Sequence, residues 1–167
     1  AVRQTGTVRL SWKHNPVDSS PQTAYELRHR VGSGGAWTTV SGTTAQHRDV
    51  TLPVGGIQWQ VRTKGEHPDW SGWSATATTD VIDVPGVNIT TPDAEWESSQ
   101  LTVAWTWFQA QSRPQSAWEV ELLDASLVVR ERRTGSGAGT SAPLATRLTE
   151  GAWTLRVRAA TGDVWSA

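Results

Sequence analysis

The chain contains no cysteine. That excludes a disulfide framework, thiolate catalysis and any cysteine-based metal site. Such a composition suits assembly in a reducing cytoplasm and leaves export open. Lysine is scarce: of fifteen basic residues only Lys13 and Lys64 are lysines, the rest arginines. With abundant Ala, Gly and Thr, this is the composition of a GC-rich bacterial or phage genome. No charge dominates, the formal net charge being −1, so no global field draws in nucleic acid or an anionic membrane. No apolar run approaches the length of a membrane span, and no signal-peptide pattern opens the sequence. Helical periodicity is missing from every window of useful length.

Aromatic side chains are few in kind rather than number: one Tyr and one Phe accompany eleven Trp. A buried indole removes on the order of 200 Å² from water, at most ~5 kcal/mol each. Indoles are therefore expected to fill much of the interior. The sequence centres on residues 59–74 (WQVRTKGEHPDWSGWS), and its pattern returns at residues 153–166 (WTLRVRAATGDVWS). Read as strands, Trp59, Val61 and Thr63 share one face while Arg62 and Lys64 share the other. In the second copy Trp153, Leu155, Val157 and Ala159 oppose Arg156 and Arg158. A strand with an apolar and a cationic face, followed by a Trp-bearing loop, predicts rings and cations interleaved on a sheet surface.

In order, residues 8–14 (VRLSWKH) alternate, residues 15–23 are a turn-rich loop, and residues 24–30 (AYELRHR) alternate again. Gly32–Gly35 and Gly135–Gly139 precede strands and lack the Lys-Ser/Thr of a phosphate loop, so both are expected to be hairpin turns. Further strands are expected at residues 37–40, 44–52 and 75–82. The second half repeats the first: 105 − 12, 114 − 21 and 118 − 25 all equal 93, joining PQTAYEL to PQSAWEV. Later landmarks drift, 153 − 59 being 94 and 165 − 70 being 95. Two domains follow, residues 1–83 and 84–167. The Val84-Pro85-Gly86 link implies an end-to-end pair with restricted hinge motion.

Short strands at turn-punctuated intervals predict an all-β sandwich, made twice. A Trp in the second strand, Tyr25 or Trp118 in the third and an aromatic opening the sixth resemble fibronectin type III domains. Trp59 and Trp153 stand where that family usually carries the Tyr of its tyrosine corner. Trp165-Ser166-Ala167 falls where the family's seventh strand would begin, so the second domain is expected to lack its last strand. Residues 11–30 and 59–74 are also similar to repeats in minor tail proteins from phages of actinobacteria. That resemblance implies a spacer or host-contacting element of a tail tip or fibre, in a virion assembled in the bacterial cytoplasm. Its partners would be other tail proteins, or a glycan or protein of the host surface, with no nucleic acid and no membrane insertion. A fibronectin type III spacer or carbohydrate-binding pair of a secreted bacterial polysaccharide-degrading enzyme is the alternative. Trp70-Ser71-Gly72-Trp73-Ser74 also matches the WSxWS signature of class I cytokine receptors, in which Trp and Arg stack as a ladder; a receptor-like ectodomain is the weaker alternative.

Carried onto this chain, the ladder comprises Arg62, Lys64, Trp70 and Trp73, with Arg156, Arg158 and Trp165 in the second copy. Trp37 and Trp96 are candidate exposed platforms for sugar rings. Glu119 and Glu121 share an outward strand face, where pairing with Arg156 and Arg158 is a better account than a glycosidase pair. Asp80, Asp83, Asp93, Glu95 and Glu97 lack the spacing of a Ca²⁺ loop. His14, His29, His47 and His67 are scattered, and His14 continues the inward face of its strand. No catalytic residue, cofactor or metal ligand is expected.

Overall fold

The computed structural model describes residues 2–92 and 100–167, which form strands and loops in two compact units, Ala1–Ile82 and Asp83–Ala167. Unit 1 runs β1 (Val2–Gln4), β2 (Gly6–Ser11), β3 (Ala24–Val31), β4 (Thr38–Gly42), β5 (His47–Leu52), β6 (Gly55–Lys64) and β7 (Ala77–Ile82). One sheet has the order β1-β7-β6-β3-β4 and the other pairs β2 with β5. Alternation dictates what lies between them. Val8 and Leu10 come from β2, Tyr25 and Leu27 from β3, Val50 and Leu52 from β5, Ile57 and Val61 from β6, and Val81 from β7. The polar residues between them face water.

Unit 2 runs β8 (Gly86–Thr91), β9 (Thr102–Phe108), β10 (Ala117–Leu123), β11 (Val129–Ser136), β12 (Ser141–Pro143), β13 (Thr154–Thr161) and β14 (Val164–Trp165). Its sheets have the orders β11-β10-β13-β14 and β12-β9-β8. Leu101, Val103, Trp105, Val120, Leu122, Ala142 and Leu144 form the core. Among the described residues, no strand occupies the place that β7 takes in unit 1.

Several strand limits differ from the sequence expectation. β1 is too short and too exposed for alternation to reveal it. β2 ends at Ser11, after which Trp12 keeps a single backbone bond to Gln46. β6 starts at Gly55 rather than at Trp59, because Gly55, at φ 135°, carries the chain straight into pairing with β7. The interior is also less indole-rich than expected. Among the described tryptophans only Trp105 lies in the fully buried core, while Trp12, Trp59, Trp118 and Trp153 pack at its margins. A sandwich core about 10 Å thick suits aliphatic side chains, and each indole N–H needs an acceptor.

Those acceptors reveal a buried device present in both units. Trp12 Nε1 donates to Gln22 Oε1 at 3.1 Å, and Trp105 Nε1 donates to Gln115 Oε1 at 3.1 Å. Gln22 Nε2 then donates to the Thr43 and Ala45 carbonyls, and Gln115 Nε2 to those of Gly137 and Gly139. Each Gln, 5% exposed, bolts a core indole to the loop that leaves β4 or β11. Both belong to the Pro-Gln pair shared by PQTAYEL and PQSAWEV, a signal that reads locally as loop polarity. Trp59 Nε1 and His14 Nε2 are buried without a partner among the described residues. Trp59 therefore makes no counterpart of the tyrosine-corner bond.

Gly135 lies inside β11, opposite Trp118, and not in a turn. Gly42 lies opposite Tyr25 in the same way. A Cβ at either glycine would fall inside the facing aromatic ring. Gly42→Ala is therefore expected to destabilise unit 1 by about 1–3 kcal/mol through overpacking. A guanidinium chloride melt followed by Trp fluorescence checks it. An unchanged midpoint would show that the Tyr25 ring has room to move.

Candidate functional site

The outer face of the β3–β6 pair carries the chemistry that the sequence singles out. Antiparallel register sets Glu26 against Arg62, Arg28 against Gln60 and Arg30 against Gln58. Each guanidinium is held at its edge by the residue opposite. Arg28 donates through Nε and Nη2 to Gln60 Oε1 (2.9 and 2.6 Å), and Arg30 does the same to Gln58 Oε1 (3.0 and 2.8 Å). Arg62 donates to Glu26 Oε2, Nε at 2.7 Å and Nη2 at 2.6 Å. Held edge-on, the planar cations leave their faces to the indoles.

The indoles are placed by two serines. Ser71 N donates to the Thr63 carbonyl while Ser71 Oγ accepts from Thr63 N. Ser74 repeats both bonds with Val61. Three residues of the WSGWS loop thus span two residues of β6. Ser71 and Ser74 peg the loop to the strand, and Trp70 and Trp73 lie over the sheet. Arg62 sits 5.2 Å from the Trp70 ring centroid and 4.8 Å from that of Trp73. Arg28 lies 4.1 Å from Trp73 and 4.5 Å from Trp37, and Arg30 lies 4.4 Å from Trp37. The order is Arg30, Trp37, Arg28, Trp73, Arg62, Trp70. With five contacts each contributing about 0.5–1 kcal/mol at partly exposed sites, the stack is a structural strut of a few kcal/mol.

This differs from the composition expected from sequence. Among the described residues, no ring stacks on Lys64 or Arg156. Lys64 lies at the last position of β6, and Arg156 faces Glu121 across the sheet. Arg28 and Arg30 take their place, brought in from β3 by cross-strand register. Trp37 is the terminal ring of the stack rather than a bare platform. Trp96, with Asp93, Glu95 and Glu97, lies outside the described residues.

Unit 2 keeps one rung and changes the rest. Pairing to the third strand equates Thr63 with Ala159 and Arg62 with Arg158, an offset of 96. Arg158 donates to Glu119 Oε1, as Arg62 does to Glu26, and lies 4.8 Å from Trp165. Ser166 N and Oγ bond Ala159 as Ser71 bonds Thr63. The same offset equates Trp59 with Leu155, so the apparent match of Trp59 to Trp153 is out of register by two. Glu121 stands where unit 1 has Arg28. It accepts from Arg132 at 3.0 Å through Nε, and Arg156 lies 4.0 Å away. Glu119 and Glu121 are thus covered by guanidiniums, and the side chain of each is less than 15% exposed.

Two other groups are electrostatically tuned. Burial raises the pKa of Glu131, but this is outweighed by the N–H groups of Ala145 and Thr146 and by Arg133, leaving it at about 2. Burial pushes the His29 imidazole down. His14 does not continue its strand, which ends at Ser11; it lies half-buried in the loop that follows, with Nδ1 2.8 Å from Thr63 Oγ1. Asp83 accepts from Gln111 through Oδ2. No group of three His, Asp or Glu side chains that could hold a metal occurs among the described residues.

The sequence matches no protein-family profile and no curated protein. Its structure is similar to solved ones, among them the following two. Against the FN1–FN3 domains of chicken CNTN1 the TM-score is 0.66 at 13% identity, covering 99% of this chain. The chain spans 58% of that fragment's length. Against the fibronectin(III)-like modules of Clostridium thermocellum CbhA the TM-score is 0.59 at 17% identity, covering 99% of this chain and 84% of the other. The fold is thus a tandem pair of fibronectin type III-like sandwiches.

Arg28, which touches two rings, is the central rung. Arg28→Ala is expected to lower unit 1 stability by about 1–2 kcal/mol, and Lys64→Ala by less than about 0.5 kcal/mol. Equal effects in urea melts would remove the ladder from the account. Glu131 is depressed in the folded state, so its contribution is complete above its ordinary value of 4.5 and is lost as pH falls from there through about 2. Glu131→Gln is expected to flatten the acid limb of the stability profile over that window. Parallel wild-type and variant curves from pH 5 to pH 2 would contradict this.

Proposed function

We propose that the two units form a non-enzymatic structural pair in a phage minor tail protein, at the tail tip or in a fibre. There they space, stiffen or present a host-recognition element. The observation that carries this reading is where the two copies agree. Both retain the Gln–Trp bolt, the glycine slot under the aromatic ring, the pegging serine and the Arg–Trp rung. All of these stiffen a sandwich. Where the copies differ, carboxylates and guanidiniums satisfy one another across the strands. The likeness to tandem fibronectin type III-like structures supports a modular, repeat-borne role.

A second reading is a fibronectin type III pair attached to a secreted bacterial enzyme. It draws on the likeness to modules from the bacterium Clostridium thermocellum. Antibodies against residues 1–167 separate the two, applied to virions and culture supernatant of the source that encodes the chain. Gold labelling at the tail end is expected. Antigen confined to the cell-free enzyme fraction would replace the tail reading with the secreted one.

A further inference from the structure

The ladder of unit 1 begins on a cation and ends on a ring. Trp37 has two guanidiniums against it, those of Arg28 and Arg30, and Trp73 has two, those of Arg28 and Arg62. Trp70 has only that of Arg62 among the described residues, and it is 36% exposed. Beside it opens a cavity of about 370 Å³, walled by the loop of residues 14–20 and by parts of residues 63–71. Its lining carries two carboxylates, Asp18 and Asp69, and no arginine or lysine. Lys64, the next outward residue of β6 after Arg62, lies outside that lining. The two walls are tied to each other. Thr23 Oγ1 donates to the Gly65 carbonyl at 2.7 Å, and Ser20 Oγ accepts from Glu66 N at 3.5 Å. Asp18 accepts from Ser20 N through Oδ1 at 3.0 Å, and the Asp69 N–H donates to His67 Nδ1 at 3.2 Å. Neither carboxylate has an arginine or lysine partner among the described residues.

We propose that this cavity takes the guanidinium of an arginine side chain presented by a partner polypeptide, which extends the ladder by one cation past Trp70. The chain sets its own rule for such a group. Each guanidinium of the stack lies against an indole and is held at its edge by a side-chain oxygen, from Gln58, Gln60 or Glu26. At the end of the stack Trp70 supplies the ring, and Asp18 and Asp69 supply the oxygens. Two carboxylates in a concavity without a basic residue favour a positive charge there more than an open surface does. A planar, weakly hydrated guanidinium both stacks and donates along its edge, which an ammonium does not. Pro16 and the fully exposed Val17 line the same cavity and offer apolar cover to the methylene stem. A neutral sugar ring would stack on the indole equally well but leave both carboxylates without a counter-charge. Ser71 already pegs the chain beside Trp70 to Thr63, so little ordering of the ring is needed on binding. The site stands on unit 1 alone and does not depend on the tail reading.

The test titrates residues 1–167 with N-acetyl-arginine methylamide and follows the indole N–H signals by NMR. The lysine and citrulline analogues serve as comparators, citrulline keeping the planar shape without the charge. The Trp70 signal is expected to move saturably, with the arginine probe bound at least about fivefold more tightly than either comparator. The Trp37 signal, whose ring already has two guanidiniums against it, is expected to stay in place. D18N and D69N should each weaken the arginine probe by at least about threefold while the Trp37 signal reports an intact ladder. No movement at Trp70 with probe up to about 100 mM would overturn the site. Equal affinity for the citrulline analogue would overturn the cation, and equal affinity for the lysine analogue would overturn the guanidinium. Methyl glucoside bound as tightly as the arginine probe would replace the cation with a sugar. Movement of the Trp70 signal on concentrating the chain without probe would replace the partner polypeptide with a second copy.

Discussion

The constraint on which the structure depends is the antiparallel register between the third and sixth strands of each unit. It places Glu26 against Arg62 and Glu119 against Arg158, and on the inner face Tyr25 against Thr63 and Trp118 against Ala159. A shift of one residue would turn every guanidinium toward the core and every aliphatic side chain toward water. The two faces thus secure each other. The core fixes the register, and the register fixes which outer side chains meet.

From the same register the two units build different outer walls. Unit 1 holds Arg28 and Arg30 with the neutral amides of Gln60 and Gln58 and stacks indoles on them. Unit 2 sets Glu121 at the Arg28 position, draws in Arg132 and Arg156, and keeps Arg158 with Trp165 as the remaining rung. The pegging serine is common to both, so the placement of the first indole is independent of how much ladder follows it. The bare scaffold needs only that rung, and the longer stack is an elaboration of unit 1.

The duplication and the fold were legible because PQTAYEL and PQSAWEV repeat their inward aromatic and the Pro-Gln before it at a constant spacing. The ladder was legible only where one strand and its following loop carried it, namely Arg62, Trp70, Trp73, Arg158 and Trp165. Arg28, Arg30 and Trp37 enter through pairing between strands distant in sequence, which a linear motif does not encode. The equation of Trp59 with Trp153 misled because a conspicuous residue recurs two positions out of register, on the same face, where alternation cannot expose the slip. Gln22 and Gln115 were visible as a repeated pair. Their role was hidden because polarity in a loop ordinarily signals solvent rather than a buried bolt.

The choice of acceptor beneath each guanidinium makes the two walls unequal toward ionic strength. Paired opposite charges half in water, such as Arg132 with Glu121, weaken as dissolved ions screen them. Arg28 rests instead on an uncharged amide and between flat rings, a contact dominated by dispersion and the ring quadrupole. The Arg28–Arg30 part of the unit 1 wall is therefore less sensitive to brine than the carboxylate-paired wall of unit 2, while the Arg62–Glu26 rung shares the response of unit 2.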